Sequence, residues 1–364
     1  MDNVIGLITT NYSAEGLGVL ANERTVAALP FAGRYRLIDF ALSNMVNAGL
    51  TTVGLVTPYK YRSIIDHVHS GKAWSLDRKN GGLFILPGSA YGISSPHSRF
   101  LLRDIARNQV FFTRSPAPYV LVSSSSYVYN MDYSGLIREH QKTGADITVV
   151  YTKAGKDDAN RTCIKTEDGR VTGMKRGVKQ GDNEFLDCFI VSRLLLLKIN
   201  EWYSSVDYLD FFEVLEENYN KMDVRMYEYS GFSRGIFSVD DYYYSNMDIL
   251  DQDNALDLFD PDAPIRTKIR DDAPAEYMAG AVTRNALIQD GCIIAGTVEN
   301  SLLSGGVTVE AGAVVKNSII MHSCRIGEGA VVENAIIDRN NVVSAGTVIK
   351  GSQGAVFVLE KNNI

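Results

Sequence analysis

The chain is poor in cysteine, proline and tryptophan, with 4, 9 and 2 of them in 364 residues. Cys163, Cys188, Cys292 and Cys324 lie far apart and lack zinc-ligand spacing, which argues against a disulfide framework or a zinc site and for reduced thiols. No lysine/arginine run or basic stripe occurs and the net charge is −7, so nucleic acid is not expected as a partner. No 18 apolar residues run together, and the opening MDNVIGLITT has neither a basic segment nor a long apolar one. A soluble, cytoplasmic protein with no membrane partner is expected. Apolar residues make up 45% of the chain, ample for a sizeable core, and the length implies two domains.

Carboxylates are missing at the place where they would be most informative. Tyr119 to Tyr133 reads YVLVSSSSYVYNMDY: a buried strand through Val120, Leu121 and Val122, then four serines, Ser123 to Ser126. The loop at the carboxyl end of a central strand is where an open α/β sheet holds ligands. Phosphate chemistry there usually needs a carboxylate to hold a divalent cation, and hydroxyls replace it poorly. The first loop, Thr9 to Gly18 after the strand Val4 to Ile8, is similarly deficient. It offers only Gly16 and Gly18 for a phosphate cradle, with bulky Tyr12 and anionic Glu15 in the way.

The first 60 residues alternate strand, helix and strand. Asp39 suits a helix N-cap, Leu42, Met45 and Val46 form an apolar face, and Gly49 suits the stop. His67 and His69 have no third ligand nearby and read as surface histidines. Residues 83–98 read as a loop beside the pocket mouth, and Phe100 to Phe112 as a helix. Further on, Tyr133 to Lys142 reads as a helix and Ile147 to Tyr151 as a strand. A hairpin is expected around Asp168 and Gly169, and an amphipathic helix from Tyr208 to Tyr219. Tyr242 to Tyr244 precede an expected helix at Asn246 to Leu250 and suit domain packing.

The C-terminal quarter repeats. Leu303, Val309 and Val315 are six apart, as are Ile320, Ile326 and Val332, and Ile337, Val343 and Ile349; each triplet follows the last by 17 residues. One inward aliphatic every six residues describes a three-sided coil of stacked short strands. Val298 and Cys292 extend it back one coil with a slip. The pattern resembles the hexapeptide repeats of left-handed parallel β-helices. Acyltransferases built on such helices use a histidine base, and His322 is the only histidine in the repeat.

Pro30 to Asn44 (PFAGRYRLIDFALSN), Thr52 to Tyr59, Gly81 to Pro87, Tyr129 to Tyr133 and Asn246 to Leu250 fall in one order. Together they resemble the bacterial ADP-glucose pyrophosphorylase (glucose-1-phosphate adenylyltransferase) family over essentially the whole chain. The resemblance implies an α/β fold: a Rossmann-like nucleotidyltransferase domain at 1–255, a linker at 256–280 and a left-handed parallel β-helix at 281–364. The chain departs from the family at its chemical positions. The triphosphate-binding glycine-rich loop matches Thr10 to Leu17, so the catalytic arginine becomes Gly16. A lysine of the family becomes Val26, and the two magnesium-holding aspartates become Ser126 and Gly235. The sugar-phosphate segments become Ser98 to Ile105 and Arg176 to Val178.

These departures resemble the non-catalytic regulatory member of the family, which serves glycogen biosynthesis in some bacteria. The resemblance implies a heterotetramer with the catalytic subunit of ADP-glucose pyrophosphorylase and no cofactor, although active members use Mg²⁺. A small phosphorylated effector is implied near Arg24, Arg34 and Arg36. The alternative is an active sugar-phosphate nucleotidyltransferase using other carboxylates, such as Asp132, Asp240 and Asp241. For these a local role at the following helix (Asp132) and exposure to solvent (Asp240, Asp241) are expected. An acyltransferase centred on His322 is a further alternative.

Overall fold

The computed structural model describes residues 3–58, 60–89, 98–203, 209–216, 218–352 and 354–361. The amino-terminal domain is built on a mixed sheet. Its main path runs Arg170–Val178, Asp158–Glu167, Asn183–Ser192, Tyr119–Ser124, Val4–Thr9, Thr52–Thr57, Gly82–Pro87. Strand Val4–Thr9 lies parallel to both Thr52–Thr57 and Tyr119–Ser124. The chain first winds one way from Val4–Thr9 and then returns to its other side, which opens a crevice at the carboxyl ends of Val4–Thr9 and Tyr119–Ser124. Thr9 is in register with Ser124, so the first loop and the serine loop are direct neighbours.

Two apolar layers cover the sheet. Leu42, Met45, Leu121 and Leu136 pack in one, and Leu7, Val120, Phe189 and Phe211 in the other. Several local expectations are revised. Helix Leu37–Asn47 has Arg36, not Asp39, at its N-cap; Asp39 sits at the third helical position and accepts from the Arg36 N–H at 2.9 Å. Gly49, at φ 80°, ends this helix as expected. His67 is buried, its Nε2 2.6 Å from Asp39 Oδ1, because the carboxylate caps the helix through Oδ2 and its other oxygen reaches the neighbouring helix; only His69 is exposed. The expected helix at 100–112 is broken at Asn108 into Leu102–Arg107 and Gln109–Thr113, and Asn108 Nδ2 donates instead to Pro87 O and Asp104 O. Of the loop expected at 83–98, residues 83–87 belong instead to the edge strand Gly82–Pro87 and 90–97 lie outside the described residues, as does part of the helix expected at 208–219. Within the latter, Phe211–Leu215 is helical. Tyr242 to Tyr244 lie inside the helix Val239–Met247 rather than before one.

After helix Gln252–Leu258, Ile265, Thr267 and Ile269 form no ladder; the first two are buried and Ile269 is exposed. The three-sided coil then forms in the expected register. Val309 pairs with Ile326 and Ile326 with Val343; Val298, Val315, Val332 and Ile349 stack on a second side; Leu303, Ile320 and Ile337 on the third. The slip lies one coil earlier. There Ile294, not Cys292, pairs with Val309, which shortens that turn to 15 residues while Cys292 stays buried beside it. The outward residues of the third side, Leu302, Ile319 and Ile336, are buried against Leu17, Phe31, Phe40 and Tyr242 of the first domain. Tyr243 Oη donates to Asn317 O at 2.7 Å across the same junction, so these tyrosines join the two domains.

Candidate functional site

At the crevice, a cavity of about 300 Å³ is lined by Gly16, Val26 and Ser126 together with Tyr12, Arg99, Arg176 and Phe237. Three of the four positions singled out in the sequence thus face one space. The fourth, Gly235, is next to it: strand Ser233–Gly235 pairs antiparallel with Tyr127–Tyr129, Gly235 opposite Tyr127, and the Ile236 N–H donates to Ser126 O at 2.7 Å.

The first loop is held by its own side chains. Thr10 Oγ1 donates to Val56 O at 2.7 Å, and Asn11 Nδ2 donates to Asp104 Oδ2 at 2.8 Å. Tyr12 Oη accepts from the Ser125 N–H at 3.2 Å, and burial pushes this phenol up to about 12. Behind Gly16 the wall is backbone: a Cβ built there would lie 2.1 Å from Phe237 O. No arginine fits at position 16 while residues 236–238 keep this path. A Cβ at Gly235 would likewise meet the Phe237 ring at 2.5 Å.

A cation internal to the chain fills the middle. The Arg99 guanidinium carbon lies 5.0 Å from the Tyr12 ring centroid and 5.1 Å from that of Phe237, a cation–π sandwich. Arg99 Nε is 3.6 Å from Asp187 Oδ2, and Ser124 Oγ donates to the same carboxylate at 3.2 Å. Burial raises the Asp187 carboxyl to about 7, with Arg99 and Ser124 pulling it back. Asp187 adopts φ 50°, a left-handed conformation that is uncommon outside glycine but that aspartate enters more readily than most side chains. Arg99 falls in the segment Ser98 to Ile105 matched to a sugar-phosphate motif, but its pairing with Asp187 was missed, because the two are 88 positions apart and Asp187 belongs to no recognisable motif.

This donor set does not fit a magnesium ion. The two matched positions supply a serine hydroxyl and a glycine, and the nearby carboxylate, Asp187, is committed to Arg99 and Ser124. Among the described residues Ser125 Oγ and Ser126 Oγ are buried without a hydrogen-bond partner, and Ser126 lines the cavity, a space that suits water. The alternative carboxylates do not converge. Asp132 caps helix Tyr133–Thr143, accepting from the Ser134 N–H, and Asp240 is exposed. Asp241 departs from its expected solvent exposure. Its side chain is only 9% exposed, beside Arg161 at 3.7 Å, in a separate cleft of about 690 Å³ that also holds Glu184. Burial would lower Arg161, but Tyr127, Glu184 and Asp241 hold it above its ordinary value.

The three arginines expected to meet an anion lie at the domain junction. Arg24 is buried in an ion pair with Asp338 of the β-helix. Arg36 donates to Ser63 O, and burial, with Arg339, Arg270 and Arg24 nearby, lowers it to about 10 despite Asp39. Arg34 is exposed and lines a small crevice with Lys268, Arg270 and His322. Burial, then Arg270, depresses His322 to about 4, and the crevice of about 30 Å³ is far too small for an acyl-carrying coenzyme.

The sheet order, the crevice and the stacked coils define a class, a nucleotidyltransferase domain carrying a hexapeptide β-helix. Residues 16–175 match the nucleotidyl transferase family model, and residues 273–354 match the GlmU-like, C-terminal hexapeptide model. The chain is 32% identical to the glycogen biosynthesis protein GlgD of Bacillus subtilis (strain 168), over 85% of this chain and 82% of that protein. It is 34% identical to GlgD of Geobacillus stearothermophilus, over 86% and 83%. It is also 34% identical to a glucose-1-phosphate adenylyltransferase of Thermomicrobium roseum, over 81% and 71%. The chain belongs to this family of GlgD proteins and glucose-1-phosphate adenylyltransferases. Identity alone does not separate the two kinds of relative, so the cleft must.

Proposed function

We propose that this chain is a non-catalytic regulatory subunit in glycogen biosynthesis, which pairs with a catalytic glucose-1-phosphate adenylyltransferase and modulates it. The observation that carries the reading is that the chain's own groups occupy the positions where charge would act: Phe237 O stands against Gly16, and Arg99 is held between Tyr12 and Phe237. A pyrophosphate leaving group needs its developing charge neutralised, and preorganised electrostatics of that kind typically contribute several kcal/mol to an enzyme's rate. Here the matched positions supply no charge, and the cation buried between the two rings is bound to a carboxylate. An active enzyme with relocated metal ligands would need carboxylates gathered and free for a cation. Asp132 and Asp240 stand apart, Asp241 and Glu184 share a cleft but both pair with Arg161, and among the described residues no group of three metal-ligating side chains is placed to hold an ion.

The family position supports a member of the same family as the partner, in a heterotetramer, in the cytoplasm. No helix among the described residues is long and apolar enough to cross a membrane. For regulation, the junction sets Arg34, Lys268 and Arg270 against the two carboxylates Asp272 and Asp290, an excess of one cation that favours an anion. Arg34 and Arg36, with Arg24 as a strut beneath them, form the contact for a small phosphorylated effector.

Co-expression with a catalytic subunit of the family, followed by sizing and an adenylyl-transfer assay, tests this reading. Co-elution and a changed rate or phosphate response of the mixture are expected, with the phosphate response blunted by Arg36→Ala. Separate elution with an unaltered rate would contradict it.

A further inference from the structure

The sheet ends at strand Gly82–Pro87, and this edge is closed to further strands. Gly82 N donates inward to Thr51 O, so the N–H groups of residues 83, 85 and 87 are the ones that point outward. Leu83 N is already taken by Leu76 O, Pro87 has no N–H, and Pro87 O accepts from Asn108 Nδ2. Ile85 alone remains, too little for strand addition.

The side chains beside this edge behave differently. Phe84 and Val110 are 43% and 56% exposed, and the Phe84 ring lies 5.5 Å from that of Phe111. With Leu86 and Pro116 they form the floor of a hollow of about 460 Å³. Among the described residues its rim carries Arg107 and Arg114, both exposed and in no ion pair, and no acidic residue lines it. A basic rim without acids is unusual on a chain of net charge −7. An apolar floor with one sign of charge around it has the make-up of a protein-binding hot spot.

We infer that this hollow is the docking point for the catalytic partner, receiving an apolar side chain flanked by carboxylates; the inference rests on the reading above. The charge complementarity selects an acidic apolar segment over a second copy of this chain, whose same surface would bring Arg107 and Arg114 against their own kind. Phe84 and Phe111 supply the burial, and the arginines steer the encounter.

The full-length chain is mixed with the catalytic subunit and the complex followed by sizing and by an affinity measurement at two salt concentrations. Val110→Glu and Phe84→Glu are expected to weaken pairing at least about tenfold. Arg107→Glu with Arg114→Glu should lower the association rate and reduce its salt dependence. Val110 lies on an exposed helix, so its variant keeps the fold, checked by an unchanged thermal transition. Pairing unchanged in folded Val110→Glu would overturn the inference and leave the regulatory reading standing. Loss instead of a self-dimer of this chain would assign the hollow to a second copy and equally overturn it. Failure of the wild-type chain to pair would remove both claims.

Discussion

At the scale of single residues, Asp187 sets the character of the cleft. Its carboxyl is raised to about 7 by burial, whereas an unfolded aspartate titrates near ~3.9. Between those values the folded chain keeps a proton that the unfolded chain has lost, so this residue's contribution to stability falls as pH rises from about 4 to 7 and is flat above. Asp187→Asn cannot ionise and removes that slope. Thermal unfolding of variant and wild type from pH 5 to pH 8 should show the variant gaining relative to wild type with rising pH; parallel profiles would contradict the assignment. None of this was legible in the sequence. Asp187 lies in an ordinary strand pattern, and its partner Arg99 lies in another part of the chain. The same holds for Asp39 and His67: the pattern marks a helix start, but only the packing of the next helix turns the carboxylate toward the imidazole.

At the scale of elements, the β-helix was the most legible part, because one inward aliphatic per six residues leaves a period that no other arrangement produces. Val315, Val332, Ile320 and Ile337 are each fully buried at the positions the period assigns. The corners were less visible. Asn300, Asn317 and Asn334 recur at 17-residue spacing and adopt φ 44°, 45° and 50°, left-handed values that asparagine tolerates better than other side chains. Asn317 Nδ2 also donates to Asn334 Oδ1 at 3.2 Å, linking successive corners. Asn317→Ala should cost about 1–2 kcal/mol in chemical denaturation, from backbone strain and the lost bond. Asn317→Gly, which relieves the strain, should cost clearly less. Equal losses would mean that the side-chain bond, not the conformation, holds the corner. The helix expected at 100–112 failed at this scale for a related reason. Its apolar spacing continues through Asn108, but that side chain bonds to backbone carbonyls and breaks the run.

At the scale of the molecule, three of the four positions where charge is missing relative to the family, Gly16, Val26 and Ser126, share one space and Gly235 lies beside it, a convergence that scattered change would not produce. Gly16, Val26 and Ser126 come from different segments, brought together because Val4–Thr9 and Tyr119–Ser124 pair in parallel at the centre of the sheet. Sequence matching located the losses but not what replaced them. The carbonyl of Phe237, 221 positions beyond Gly16, closes the wall, and no local pattern announces a contact of that range. The second domain is bound to the first through Leu302, Ile319 and Ile336 and through the buried Arg24–Asp338 pair.

The claim on which this account depends is that the cleft performs no adenylyl transfer by itself. The most direct measurement is ADP-glucose formation by the purified chain alone, given ATP, glucose 1-phosphate and Mg²⁺. The account predicts no product above the background of an enzyme-free control; turnover at ordinary enzymatic rates, on the order of 1 s⁻¹ or more, would contradict it.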